Sequence, residues 1–187
     1  IELVFEDGRG FDELFVFGSQ LFALLPGLPG AYLRRAFYET VLPGGAKRVH
    51  VGFGTVFAQR DTTVGRDVYI GAHCTIGSST IGDDVLIGSH VDVISGPHVH
   101  RFDRLDVPIR DQGGVLEKIA IGPGAWLANG AVVMAPVGAG AVVGAGAVVV
   151  RACADNGIYV GNPARLVRRR GETADPAVVD VAGSGTG

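Results

Sequence analysis

Two histidines, His98 and His100, stand two residues apart in the stretch Ser95-Gly-Pro-His-Val-His-Arg-Phe-Asp-Arg-Leu-Asp-Val-Pro-Ile109. A neutral imidazole can take the proton of a hydroxyl at neutral pH, which turns a poor nucleophile into a competent one. Such a ring works best when a carboxylate holds its other nitrogen. Asp92 and Asp103 are the candidates, and nothing in the sequence chooses between them. The bland alternative is that both rings only satisfy hydrogen bonds of a loop. His50, His73 and His90 are weaker candidates; His73 and His90 fall on outward positions of a repeat, and His90 is near enough to the loop to line a slot. Further on, Arg165 and Arg168 are cations suited to phosphate groups. For Arg169 and Arg170 a solvated helix end or tail is the simpler reading.

The elements that position these residues follow from a register. Aliphatic residues occupy 64, 70 and 76, then 81, 87 and 93, and after an interruption 121, 127 and 133, then 137, 143 and 149. Four residues beyond each of them except Val133 lies a small or apolar residue outside the register: Val68, Cys74, Thr80, Val85, Val91, Pro97, Ala125, Ala131, Ala141, Ala147 or Cys153. A six-residue period fits neither one helix nor a simple hairpin. It fits a solenoid of short strands in which each aliphatic side chain stacks on its equivalent one coil away. Such coils repeat at about the interstrand spacing of 4.8 Å. The interruption, about 96–118, reads as an excursion loop leaving a rigid scaffold, a usual place for function.

Composition sets the outer bounds. The chain has 187 residues, net charge −3 and 47% hydrophobic residues, which suits one folded domain and excludes wholesale disorder. A pI near 5.9 gives no basic footprint for nucleic acid. Two cysteines make no disulfide framework, and Cys74 at a repeat corner reads as packed rather than nucleophilic. A reducing compartment, the cytoplasm, is the expected location. The chain opens Ile1-Glu2, without the basic start of a signal peptide.

Residues 11–25 and 30–42 read as two short helices around Pro26-Gly-Leu-Pro-Gly30, covering the open end of the solenoid. A sharper reading gives Phe15, Phe17, Leu21 and Phe22 a peripheral contact with a membrane. The division expected is a helical cap over 1–48, a β-helix over 49–163, and a basic segment with a mobile tail over 164–187.

Over roughly 49–168 the repeats resemble the hexapeptide-repeat acyltransferases. That resemblance implies an all-β solenoid, a left-handed parallel β-helix, and a homotrimer with active sites between subunits. His100-Arg-Phe-Asp-Arg-Leu-Asp-Val-Pro108 is similar to the catalytic loop of xenobiotic, colanic-acid and maltose-type sugar O-acetyltransferases, which puts the base on His100 with His98 as runner-up. Gly144-Ala-Gly-Ala147 and Val160-Gly-Asn-Pro-Ala-Arg165 are similar to the family's signature for coenzyme A. By that likeness Trp126, Ala128, Gly144, Ala145, Gly146, Pro163, Arg165 and Arg168 would receive acetyl-CoA. The implied activity is direct acetyl transfer to a hydroxyl of a sugar or glycan precursor, a step of polysaccharide biosynthesis, with no metal. Two departures stand near the expected cofactor path: the short step from Val133 to Val137, and Ala128 where a glycine is usual.

Three alternatives share the scaffold. An amino-sugar N-acetyltransferase would differ only in its acceptor. A γ-type carbonic anhydrase needs three zinc histidines, and the spacing Ile87-Gly-Ser-His90 with His98-Val-His100 fails it. A non-enzymatic trimeric scaffold would not bind coenzyme A.

Overall fold

The computed structural model describes residues 9–172. Helix α1 spans Arg9–Ala23 and α2 spans Gly27–Val41. The first coil contains β1 (His50–Val51), β2 (Val56–Phe57) and β3 (Thr63–Val64). The second contains β4 (Tyr69–Ile70), β5 (Thr75–Ile76) and β6 (Ser79–Ile81). The third has β7 (Leu86–Ile87) and β8 (Asp92–Val93), then the excursion, then β9 (Ile119–Ile121). Next come β10 (Trp126–Leu127), β11 (Val132–Val133), β12 (Val142–Val143) and β13 (Val148–Val149). The column ends with β14 (Gly157–Val160) and β15 (Arg165–Arg169).

Strands one coil apart pair in parallel, so the column has three sides: a seven-stranded sheet β1-β4-β7-β10-β12-β14-β15, a five-stranded sheet β13-β11-β8-β5-β2, and a three-stranded sheet β3-β6-β9. All twelve aliphatic residues of the register are buried, and they stack in ranks such as Ile70↔Ile87, Leu127↔Val143 and Val133↔Val149. The short step to Val137 leaves the third side only single bridges there, Ile121↔Val137 and Val137↔Cys153. Glycines follow the inward aliphatics because the next coil is too close for a side chain. A Cβ on Gly71 would lie 2.6 Å from the carbonyl carbon of Gly88.

The corner residues divide. Val68, Cys74, Val85, Val91, Ala125, Ala131, Ala141 and Ala147 are buried as small corner fillers. Thr80 and Pro97 are exposed instead, because the chain steps by five residues at one and leaves the coil at the other. Cys153 is buried in the third rank rather than at a corner. Burial raises the Cys74 thiol above its ordinary pKa and pushes Cys153 up to about 11. Neither thiol should react with a soluble disulfide reagent at pH 8 until the chain is unfolded; rapid native labelling would contradict this packing.

The helices close the N-terminal end of the column, and they do so as a hairpin whose contacts run in reverse order. Phe37 packs on Phe15 and Phe22, and Tyr38 on Phe57. Ser19 Oγ lies 2.9 Å from the Tyr38 hydroxyl and accepts the Phe57 N–H at 3.0 Å. Arg34, only 2% exposed, donates to the carbonyls of Val51 (2.8 Å), Leu25 (2.6 Å) and Phe22 (3.2 Å).

His50 stacks on Tyr69 with centroids 4.7 Å apart. Partial burial, and then the Arg34 charge, lower its pKa from the ordinary 6.5. Because the folded chain holds this proton less tightly than the unfolded one, the stability linked to His50 is complete above about pH 6.5 and declines as pH falls below it. Comparing urea midpoints at pH 7.5 and 5.5, His50→Asn should lose part of the acid decline of the parent; identical declines would remove His50 from that role.

Among the described residues no helix is long and apolar enough to cross a membrane. The basic segment expected to be a tail is instead partly sheet: β15 pairs antiparallel with β14, Tyr159 opposite Leu166 and Val160 opposite Arg165. The turn between them carries the cis Asn162–Pro163 peptide. Most of the expected mobile tail, residues 173–187, lies outside the described residues.

Candidate functional site

The excursion leaves the column after β8 and returns at β9, at the corner between the second and third sheets. Its two arms are tied by backbone bonds from Glu117 N to Ser95 O, Val115 N to His98 O, and Arg101 N to Gly113 O, each 2.8 Å. Its tip is braced by Gln112, whose amide accepts from Arg104 N at 3.0 Å and donates to the carbonyls of Arg104 and Val107 at 2.7 and 2.8 Å. The loop is therefore held by its own cross-links rather than by a hydrophobic core.

This frame holds both histidines exposed. His98 Nδ1 lies 3.2 Å from Glu117 Oε1. Glu117 is the carboxylate that orients a loop histidine, and sequence reasoning missed it. The backbone tie of 95 to 117 is the signal, and only a paired loop reveals it. Asp92 sits elsewhere, on the outer face of the second sheet. There it lines a cleft of about 290 Å³ with Gln59, Thr75, Val99 and Leu116, a cleft that neither histidine lines. Asp103 is exposed near the loop tip.

His73 and His90 occupy the corner between the first two sheets with φ of +56° and +58°. The same corner of later coils holds Gly130 and Gly146, at +70° and +66°. The two rings stack at 5.2 Å, and Phe53 meets His73 edge-on at 5.5 Å. Among the described residues no group of three or more His, Cys, Asp or Glu is placed to hold a metal ion.

On the outer face of the first sheet, Leu86, Trp126, Val142 and Ile158 form one rank. They floor a cavity of about 640 Å³ that Arg168 and Arg170 also line. Trp126 is 45% exposed there. The reading of Arg170 as merely solvated is corrected: it lines this cavity and donates to Gly140 O at 2.8 Å. Ala128 fills the glycine rank with a nearly buried methyl, and its N–H reaches Val143 O at 2.8 Å. Gly144, Ala145 and Gly146 form the next corner, with Gly146 N bonded to Asn129 O. Pro163 and Arg165 are exposed at the hairpin, Arg165 donating to Ala164 O.

Within one chain the cavity and the histidine loop are therefore separate features. The first-sheet face bearing Trp126 and Arg168 is opposite the corner from which the histidine loop departs.

The column has the fold of the hexapeptide-repeat acetyltransferases, the left-handed parallel β-helix. A hexapeptide-repeat acetyltransferase from Vibrio cholerae O1 biovar eltor, complexed with acetyl-CoA, is similar with TM-score 0.71 and 20% identity, covering 89% of this chain and 92% of that one. A maltose O-acetyltransferase from Clostridium difficile 630 is similar with TM-score 0.70 and 19% identity, over 84% and 85% of the two chains. A galactoside acetyltransferase in complex with coenzyme A gives 0.66 and 20%, over 88% and 85%. In sequence, a probable acetyltransferase of Mycobacterium tuberculosis is 38% identical over 73 residues, 38% of this chain; the match spans about a quarter (24%) of that relative. No model of a known protein family matches the sequence.

Proposed function

We propose that the chain is an acetyl-CoA-dependent O-acetyltransferase that acetylates a hydroxyl of a sugar or glycan precursor, working as a homotrimer in the cytoplasm. The observation that carries this reading is the pair of half-sites on opposite parts of one column. A ring of three columns sets a loop of one copy against a sheet face of the next, so each half-site gains what it lacks.

In the proposed reaction His100 takes the acceptor hydroxyl proton as that oxygen attacks the thioester carbonyl. The tetrahedral intermediate collapses with cleavage of the C–S bond. The thiolate takes the proton back from the imidazolium, giving free coenzyme A and the acetyl ester. Trp126 and its aliphatic neighbours would receive the apolar parts of the donor, and Arg168 its phosphates. The cleft beside the loop, which His100 does not line, would hold hydroxyls of the acceptor remote from the reacting one, through the carboxylate of Asp92, the hydroxyl of Thr75 and the amide of Gln59.

The test is acetyl transfer from acetyl-CoA to a panel of sugars and amino sugars, followed by mixing of inactive variants. A random mixture of His100→Ala and Arg168→Ala subunits should regain up to about a quarter of parental activity if each site draws on two copies. No transfer to any sugar hydroxyl would overturn the reaction, and no regain on mixing would overturn the shared site.

The chain has a single tryptophan, so the donor site reports on itself. Coenzyme A should quench the Trp126 fluorescence saturably. Trp126→Ala should raise KM for acetyl-CoA about tenfold or more with a smaller change in kcat, since base–aromatic stacking is worth roughly 1–3 kcal/mol. An unchanged KM would take Trp126 out of the donor site.

A further inference from the structure

The excursion is a ribbon whose rungs advance by three residues on the outgoing arm and by two on the returning one. Ser95 O takes Glu117 N, His98 O takes Val115 N, and Gly113 O takes Arg101 N. His100 stands between the second and third rungs, one residue from the third. The end rung of an exposed ribbon frays. Here the third is not the end, because a side chain supplies a fourth. Gln112 Oε1 accepts from Arg104 N at 3.0 Å, and Nε2 donates to Arg104 O at 2.7 Å and Val107 O at 2.8 Å.

We infer that Gln112 is a positioning residue for His100, acting through the rung between Gly113 and Arg101. This role rests on His100 being the proton acceptor proposed above. Gln112 and Gly113 are adjacent, so the amide that holds the turn at 104–107 also fixes the carbonyl that holds Arg101. The arms lie too close to move independently: a Cβ on Gly114 would stand 1.8 Å from Val99 O. No apolar packing replaces the amide at the tip, where Phe102, Leu105 and Ile109 are all exposed. The ion pair of Arg104 with Asp106 is exposed too, and it joins residues two apart on one arm. The position calls for one acceptor and two donors on a single group. A glutamine amide has them, whereas a carboxylate lacks the donors.

Gln112→Ala should lower kcat for acetyl transfer by about 10- to 100-fold, since a misplacement near 1 Å can cost about 10²-fold. KM for acetyl-CoA and circular dichroism should be unchanged, and amides of residues 101–107 should exchange faster with solvent. Gln112→Glu keeps the size and the acceptor but sets an oxygen against the Arg104 and Val107 carbonyls, so its loss should be at least as large. Arg104→Met removes the ion pair but keeps the backbone bonds to Gln112, and should stay near the parent.

The deciding measurement is Gln112→Ala in the His100→Ala background. A residue that acts only through the imidazole costs almost nothing more once the imidazole is gone. An undiminished further loss there overturns the role. So does a Gln112→Glu variant that keeps the activity Gln112→Ala loses, which would assign the effect to bulk. Full activity in Gln112→Ala beside a large loss in His100→Ala overturns the positioning role alone. Full activity in both overturns it together with the loop's part in proton transfer.

Discussion

Replacing His100 with alanine should lower kcat by about 10²–10⁴-fold, the usual contribution of a positioned general base. Affinity for acetyl-CoA should hardly change, because the cavity proposed for the donor is lined by Trp126 and Arg168 and not by the imidazole. Fluorescence titration separates the two quantities. The neighbouring histidine supplies the internal control. His98 has a carboxylate at 3.2 Å, Glu117, that can fix its tautomer. If His98 were the base, His98→Ala would carry the large loss and Glu117→Gln would lower kcat partially and alter the pH profile. If His100 is the base, both changes at the 98–117 pair should act only through loop position, with modest losses and an unchanged profile. Full turnover in His100→Ala would end its assignment.

The difficulty of choosing between these histidines shows what a sequence of this kind displays. The ranks were legible because burial demands a repeated side chain. Every aliphatic residue from Val64 to Val149 in the six-residue register is buried, and most corners hold the small residue expected. The expected start of the β-helix at 49 takes in the first coil, but its ranks fell outside the register read from 64 onward: Val51 and Phe57 are fully inward and six residues apart, and a step of seven to Val64 breaks the period. Contacts that cross the repeat left no periodic trace at all. Glu117 meets His98 only because the loop arms pair, and Arg170 enters a cavity only because β15 folds back on β14. A run of three arginines has the composition of a solvated tail; the strand it forms is set by the hairpin before it. The N-terminal helices were placed within a few residues by their apolar spacing, but Phe15, proposed for membrane contact beside Phe17 and Leu21, is buried against the column.

Arg34 is the residue whose importance the sequence hides most completely, and its replacement should give the largest loss of stability. In a pattern of helical spacing it reads as a surface cation of α2. In the fold its guanidinium satisfies two carbonyls at the end of α1, those of Phe22 and Leu25, and one in the first coil, that of Val51. These bonds close the helix terminus and anchor the cap to the column at one point. Arg34→Met keeps much of the side-chain volume, but it leaves the Val51 and Leu25 carbonyls without their donor, while the Phe22 carbonyl keeps the Leu25 N–H at 3.3 Å. Each stranded buried group costs about 1–3 kcal/mol, so the two together are expected to cost roughly 2–4 kcal/mol after relaxation. For a chain of this length, about 2–4 °C of melting temperature accompanies each kcal/mol, so Tm should fall by on the order of 10 °C. The effect should exceed that of Arg48→Met, whose pair with Asp67 is exposed and screened by water. Arg34→Lys should fall between, since an ammonium on a shorter reach can serve fewer of the three carbonyls at once. Calorimetric melts of the three variants decide the matter. A solenoid exposes its inward rank at an open end unless something covers it, and here the cover lies over Val51 and Phe57. If Arg34→Met melts within a degree or two of the parent, the hydrophobic contacts of Phe15, Tyr38 and Phe57 alone hold the cap, and the arginine is a passenger in its own pocket.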